Sequence, residues 1–300
     1  MKVLVTGGSG FIGQSLKKIK PDWIYISSKD YDLTDPYHVR GAIRDHRHLD
    51  AIVHLAGKVG GIKDNATKQA EYMYQNLMIN TNIIHESYKE NVPRVLSALS
   101  TCVFPNQVEN YPFDENDLHK GAPAVSNLSY GYAKRCLHVM SEAYKKQYNV
   151  DYSTFSPSNV YGPGDDFNLE TSHFVSALVR KVADAKEGDT ISFWGNGKPL
   201  RQQLYVEDLV TIIPLLLEKH HSSMPIIVSP PENLSIKKMI EMCLNIANKD
   251  LNIKFNKKLD GQFRKDGNNK KLLDLIGDFK FTPFEEGLRK TYEWYQQRNK

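Results

Sequence analysis

Residues 5–13 read VTGGSGFIG, three glycines at every third position directly behind a short apolar run. A chain that turns this abruptly from a strand into a helix has few options. The turn needs a residue that tolerates unusual dihedrals. The helix must lie close against the strand. The free N–H groups at the helix start then face outward as an anion site. Gly7, Gly10 and Gly13 therefore suggest a cradle for a dinucleotide pyrophosphate, and their place at the first strand–helix junction gives that reading weight over a merely tight structural turn.

The rest of the first half fits such a beginning. KVLVTG, WIYIS, AIVHLA and RVLSALS are short runs rich in Val, Ile and Leu, separated by helix-length segments, with a fifth strand expected within residues 151–160. Runs that are apolar throughout belong to strands buried on both faces. Their alternation with helices implies right-handed crossovers and an α/β class, a Rossmann-type doubly wound parallel sheet. Beyond Tyr161 the pattern changes to a Gly/Pro/Asp loop, then shorter strands and helices. We expect a dinucleotide-binding domain over 1–160, segments after about 200 returning to it, and a smaller α/β substrate lobe over 161–300. In FTPFEEGL, Thr282, Pro283 and Glu285 form a capping-box signature for a last helix.

The second strand ends YISSKDYDLTD. An acidic group there holds the ribose 2′-hydroxyl of NAD. Ser27, Ser28 and Lys29 offer hydroxyls and a cation instead, which suits a 2′-phosphate and thus NADPH (NADP+), with Asp30 close by. Asp32 is read as an adenine contact. For Asp35, adenine contact and helix capping stand equal.

SYGYAKR places Tyr130 and Lys134 at i and i+4, on one helix face. A phenol near pKa 10 is a poor acid at neutrality, and a nearby ammonium stabilises the phenolate and lowers it. Such a pair makes a general acid for a carbonyl that receives hydride. Ser100, thirty residues earlier, can hydrogen-bond the same oxygen. On position alone Cys102 is a small buried residue behind a strand.

Together these motifs resemble the extended short-chain dehydrogenase/reductases of the nucleotide-sugar branch. HLAGKVGG, STCVFP, NVYGPGDDFN, TSHFVSALVRK, WGNGKPLRQQLYVEDL and DGQFRK narrow the resemblance to the GDP-L-fucose synthases, over nearly the whole chain. That resemblance implies an NADPH-dependent 3,5-epimerase-4-reductase acting on GDP-4-keto-6-deoxy-D-mannose. It implies Cys102 and His173 as the proton-transfer pair at C3 and C5, with Ser100, Tyr130 and Lys134 serving the hydride step. It assigns Gly7, Gly10, Phe11, Ile12, Gly13, Ser28, Lys29, Asp32, Leu55, Ala56, Lys134 and Asn159 to the cofactor, with Asn159 also lining the sugar pocket. Trp194, Arg201 and Lys271 go to the GDP-sugar. It also implies a homodimer through helices near 70–90 and 130–147. Arg180 and Lys181 either reach a phosphate or face water; His54, Asn76 and His85 are structural or cofactor-shell residues. Most lysines of the basic stretch 254–271 read as solvated. The family's YGPHDNF is altered here, with Gly164 and Asp166 in place of His and Asn. That loop borders the sugar and leaves an alternative, a C4-reductase of another GDP-4-keto sugar such as a deoxyheptose.

Composition excludes other classes. A net charge of +4 is too mild for a nucleic-acid binder. No apolar run approaches the ~20 residues that span a bilayer, and the N-terminal apolar run is too short for a signal peptide. Three cysteines without metal spacing point to a reducing, cytoplasmic setting without structural zinc.

Overall fold

The computed structural model describes residues 1–256 and 262–298. Its first half runs β1 (Val3–Thr6), α1 (Phe11–Ile19), β2 (Ile24–Ile26), α2 (Pro36–Asp45), β3 (Ala51–His54), α3 (Ile62–Thr67), α4 (Gln69–Lys89), β4 (Arg94–Ala98), α5 (Leu128–Tyr148) and β5 (Asp151–Pro157). The second runs β6 (Asn159–Tyr161), α6 (Phe174–Asp184), β7 (Thr190–Phe193), β8 (Leu200–Arg201), β9 (Gln203–Tyr205), α7 (Val206–Lys219), β10 (Ile226–Val228), β11 (Leu234–Ser235), α8 (Ile236–Ala247), β12 (Asn252–Phe255), α9 (Lys270–Ile276) and α10 (Phe284–Arg298).

Six strands form one parallel sheet in the order β10-β5-β4-β3-β1-β2. Every residue of β1, β3 and β4 is buried, as helices on both faces require. On one face Ile43 of α2, Ile83 and Ile84 of α4 and Leu137 of α5 pack against Leu4, Ile52 and Val95. On the other, Leu16 of α1 and Leu209, Ile212, Ile213 and Leu216 of α7 pack against Val5, Val53 and Leu96. The chain leaves β1 for β2 on one side and then crosses to β3 on the other. The carboxyl ends of β1 and β3 thus flank the switch point, where open α/β sheets bind ligands. Residues beyond 200 supply both α7 and the sixth strand, β10. A third cluster joins α6, α8 and α10 around Phe193, Tyr161 and Tyr205.

The capping box expected at Thr282 does not form. The Thr282 backbone N–H and hydroxyl both donate to the Asp208 carboxylate at 2.8 Å, and the Phe284 N–H donates to Glu232 at 2.8 Å. Gly287 N–H closes the first helical bond on the Pro283 carbonyl. Carboxylates from α7 and from the segment before β11 thus replace the local cap.

Candidate active site

The glycine cradle is built by close approach. Gly7 has φ +73°, and a Cβ there would lie 2.9 Å from the Ala56 nitrogen. A Cβ on Gly13 would collide with the Gly7 carbonyl and lie 2.8 Å from the Gly8 Cα. Gly10 caps α1 with no side chain in the way, leaving Phe11 and Ile12 in the first turn, their N–H groups toward the cradle. Leu55 and Ala56 follow β3 and form its other wall. These features fit a dinucleotide pyrophosphate at a helix N-terminus.

Behind the cradle lies a buried polar chain. Ala56 N–H donates to Thr6 Oγ1 at 3.2 Å, and Thr6 donates to His54 Nδ1 at 2.8 Å. His54 Nε2 donates to Asn80 at 3.1 Å, and Asn80 donates to the Ala133 carbonyl of α5 at 3.3 Å. Burial holds His54 neutral, at about 3. Asn76, four residues before Asn80, pins the next loop by exchanging bonds with the Lys58 backbone at 3.1 and 3.0 Å. His85 bridges α4 to Tyr144 of α5 at 2.6 Å.

At the end of β2 the Asp30 carboxylate accepts from Ser27 N–H at 2.8 Å and Ser27 Oγ at 2.7 Å. These bonds hold it below the usual carboxylate range and turn it into its own loop, leaving Ser28 and Lys29 exposed. Asp32, read as an adenine contact, accepts from the Thr34 N–H and hydroxyl at 2.9 and 2.7 Å. Asp35 caps α2 by accepting from Tyr37 N–H at 2.7 Å.

Past β4, Ser100 is extended and caps a single helical turn over Thr101–Val103, accepting from Cys102 N–H at 3.2 Å. Ser100 also acts on the Cys102 thiol and the Tyr130 phenol, lowering both. Tyr130 and Lys134 are both buried one turn apart in α5. Burial pushes the phenol well above its ordinary range; the charge of Cys102 raises it further, and the Ser100 hydroxyl opposes both. The Lys134 ammonium donates to the Ala98 carbonyl at 3.0 Å, and burial lowers it to about 8.

The first turns of α5 are tied to the Cys102 turn in two ways that sequence reasoning missed. A Cβ on Gly131 would lie 2.7 Å from the Cys102 carbonyl oxygen. Arg135 donates from Nε to the Val103 carbonyl at 3.0 Å, again to that carbonyl from Nη2, and from Nη1 to Gly121 at 2.9 Å.

Cys102 has a further partner that sequence reasoning did not single out. The Lys265 ammonium lies 2.9 Å from its sulfur. Burial raises the thiol, but the Lys265 charge and hydrogen bond, the Ser100 hydroxyl and the Arg201 charge together bring it below its ordinary value. Arg201, in β8, is half-buried and donates to its neighbouring Leu200 carbonyl at 2.7 Å.

The other expected site residues spread wider. His173 is exposed at the N-cap of α6, and its charge acts on the Asp165 carboxyl. Its loop reaches the segment after β3 through Gly61 N–H on the Thr171 carbonyl at 3.2 Å. Asn159 opens β6, opposite Gln203, and Trp194 is exposed behind β7. Lys271, expected at the GDP-sugar, pairs with the buried Glu115 at 3.1 Å, and Glu115 also accepts from the Ile227 N–H. Arg180 donates to the Phe167 carbonyl at 3.0 Å and Lys181 to the Ser192 carbonyl at 2.6 Å. In the altered loop Gly164 has φ +91° and open space around its Cα, and Asp166 binds Thr171 and the Asn168 N–H. In the basic stretch Lys254 is exposed, Arg264 and Lys270 pair with Asp266 and Asp274, and Lys257, Lys258 and Asp260 lie outside the described residues. Among the described residues no group of three His, Cys, Asp or Glu could hold a metal, and no helix is long and apolar enough to cross a membrane.

Comparison with known proteins adds to this geometry. The sequence pattern of the NAD dependent epimerase/dehydratase family matches residues 3–228. A probable GDP-L-fucose synthase of Drosophila melanogaster is 33% identical over 98% of this chain and 97% of its own length. The GDP-L-fucose synthase of Dictyostelium discoideum is 33% identical over 98% and 94%. Among solved structures, a GDP-L-fucose synthetase from Naegleria fowleri bound to NADP superposes with a TM-score of 0.90 at 32% identity, covering 99% of this chain and 93% of that one.

Proposed function

The chain belongs to the NAD dependent epimerase/dehydratase family, and from that premise we propose that it is an NADPH-dependent 3,5-epimerase-4-reductase converting GDP-4-keto-6-deoxy-D-mannose to GDP-L-fucose. One observation carries the reading: Ser100, Cys102 and Tyr130 come together at the carboxyl end of β4, where Ser100 accepts from the Cys102 N–H and acts on both the thiol and the phenol. A plain reductase needs the serine and the tyrosine; the thiol beside them serves a second chemistry.

NADPH supplies hydride to C4 when bound. The backbone of Gly7, Gly10 and Gly13 and the start of α1 hold its diphosphate, and Ser28 and Lys29 receive the 2′-phosphate. Lys134 and Asn159 would hold the nicotinamide half. Tyr130, kept protonated by burial, gives its proton to the C4 oxygen as charge develops there, while Ser100 orients that oxygen. Protons at C3 and C5 are acidic because they flank the C4 ketone. Cys102 and His173 remove and return them on opposite faces. Arg201 and Trp194 hold the nucleotide sugar.

We infer a homodimer through α4 and α5, supported by the exposed Tyr74, Tyr132, Val139 and Tyr148 on those helices. We place the enzyme in the cytoplasm, a setting suited to three free cysteines. Incubation with NADPH and GDP-4-keto-6-deoxy-D-mannose, with the product identified by NMR, should give GDP-L-fucose and stoichiometric NADPH oxidation. No oxidation with that sugar sinks the reading. Reduction in heavy water without deuterium at C3 and C5 reduces it to a C4-reductase.

A further inference from the structure

Lys265 sits on a segment fastened from several sides. Gln262 donates to the Asn106 carbonyl at 2.7 Å and to the Pro105 carbonyl at 3.2 Å. Phe113 N–H donates to the Asp266 carbonyl at 2.9 Å, and Asn268 N–H to the Phe113 carbonyl at 2.8 Å. Gly267 N–H donates to Gln202 Oε1 at 2.9 Å, and Gln202 Nε2 returns a bond to Gly267 at 3.2 Å. The ammonium that reaches Cys102 is therefore carried on a fixed backbone.

The charges next to Lys265 are already matched. Arg264 holds both oxygens of Asp266, at 2.6 and 2.9 Å, so the nearest carboxylate in sequence is engaged elsewhere. The groups that act on the Cys102 sulfur are Lys265 from this segment, Arg201 from β8, Ser100 from the end of β4 and Tyr130 from α5. Two of these are cations, and among the described residues none is a carboxylate. A sulfur within 2.9 Å of an ammonium is a much better acceptor when ionised.

We propose that Lys265 is a positioning residue that holds Cys102 as a thiolate before the sugar arrives, giving Cys102 the proton-removing role beside the ketone, an assignment that rests on the epimerase-reductase reading. The thiolate lone pair takes the proton from C3 or C5 and becomes S–H, while the C–H electrons pass into the enolate. A proton from His173 then returns to carbon on the other face. Thiol and imidazole reset by exchange with water, and Lys265 stays protonated throughout.

The test measures the thiol itself, without substrate. Iodoacetamide alkylation of Cys102 is followed by peptide mass spectrometry between about pH 5 and about pH 10 in the wild type, Lys265→Gln and Lys265→Arg. The wild-type midpoint should lie below the ordinary thiol value of about 8.5. In Lys265→Gln it should rise by about one unit, slowing alkylation at neutrality about tenfold, and Lys265→Arg should restore most of the rate. A wild-type midpoint at or above about 8.5, or equal midpoints in wild type and Lys265→Gln, overturns the proposal. The wild-type arm needs no variant to fold. With GDP-4-keto-6-deoxy-D-mannose in heavy water, Lys265→Gln should lose deuterium exchange at neutral pH and regain it in alkali. A loss equal at every pH marks a merely structural lysine and overturns the proposal as well. A lowered midpoint in an enzyme that exchanges no deuterium with this sugar supports the hold of Lys265 on the sulfur and rejects the substrate assignment instead.

Discussion

Tyr130 keeps its proton for two reasons that act together: it is buried, and the charge of Cys102 opposes a second anion beside it. A phenol in that condition is a donor, so Tyr130→Phe should lower NADPH oxidation by about 10²–10⁴-fold in stopped-flow or steady-state assays. Deuterium exchange at C3 and C5 should persist, because that chemistry belongs to the sulfur. Lys29 stands exposed at the end of β2 with Asp30 turned away; Lys29→Glu should raise KM for NADPH about tenfold or more, the loss of one cation–phosphate contact, with little effect on NADH. At this scale the sequence was readable where a residue type answers one geometric demand, as for Gly7 with its positive φ against Ala56. It was opaque where chemistry depends on who stands opposite. Lys265 is one cation among many in a polar stretch, and nothing local says that its neighbour Arg264 is matched by Asp266 while it faces a thiol 163 positions away. The i,i+4 rule brought Tyr130 and Lys134 to one helix face but did not report where a four-carbon stem would carry the ammonium.

Helix α5 presents its first turns to the Cys102 loop at a distance only glycine permits. Gly131→Ala puts a methyl against the Cys102 carbonyl oxygen and the Pro123 ring. The strain should lower stability by about 1–3 kcal/mol in urea titrations, and turnover should fall further than stability because Tyr130 moves with the helix. The strands were legible as apolar runs because both sheet faces are covered, a condition that removes alternation. The asparagines of α4 were not. Asn76 and Asn80 lie on one face four apart, which marks a polar stripe directed inward, but only the fold shows that they meet Lys58 and His54. The start of α10 failed as a local prediction because Asp208 and Glu232 from distant segments displaced the Thr282 cap.

Across the whole molecule, α7 and β10 join the sheet from the far end of the chain, and Arg94 marks the seam. Its guanidinium donates to the carbonyls of Leu216, Leu217, His220 and Asp151 and to the Ser153 hydroxyl, and it pairs with Asp151 at 3.2 Å. Arg94→Ala strips those partners in a buried site and should cost about 3–5 kcal/mol in chemical denaturation. Acid should act on the same scale. His54 is held at about 3 and His138 and His220 at about 4, each chiefly by burial. An unfolded histidine near 6.5 binds a proton that the folded one refuses. These groups therefore favour the fold fully above about pH 6.5, and the advantage is lost as pH falls toward about 4. Each contributes at most about 1.4 kcal/mol per pH unit, so urea midpoints should drop steeply between about pH 6 and about pH 5. A flat profile there would mean that protonation reaches these imidazoles without unfolding.

The order in which the chain is made gives the clasp of residue 265 on residue 102 a temporal meaning. Synthesis delivers Ser100, Cys102 and Tyr130 early, and the ammonium that faces the sulfur only after more than a hundred further residues. Until that late segment has left the ribosome and laid itself along Pro105 and Phe113, the sulfur is an ordinary thiol, sluggish toward oxidants. The base is thus armed last, so a chain that stops short of residue 265 carries a slower cysteine in place of a reactive one.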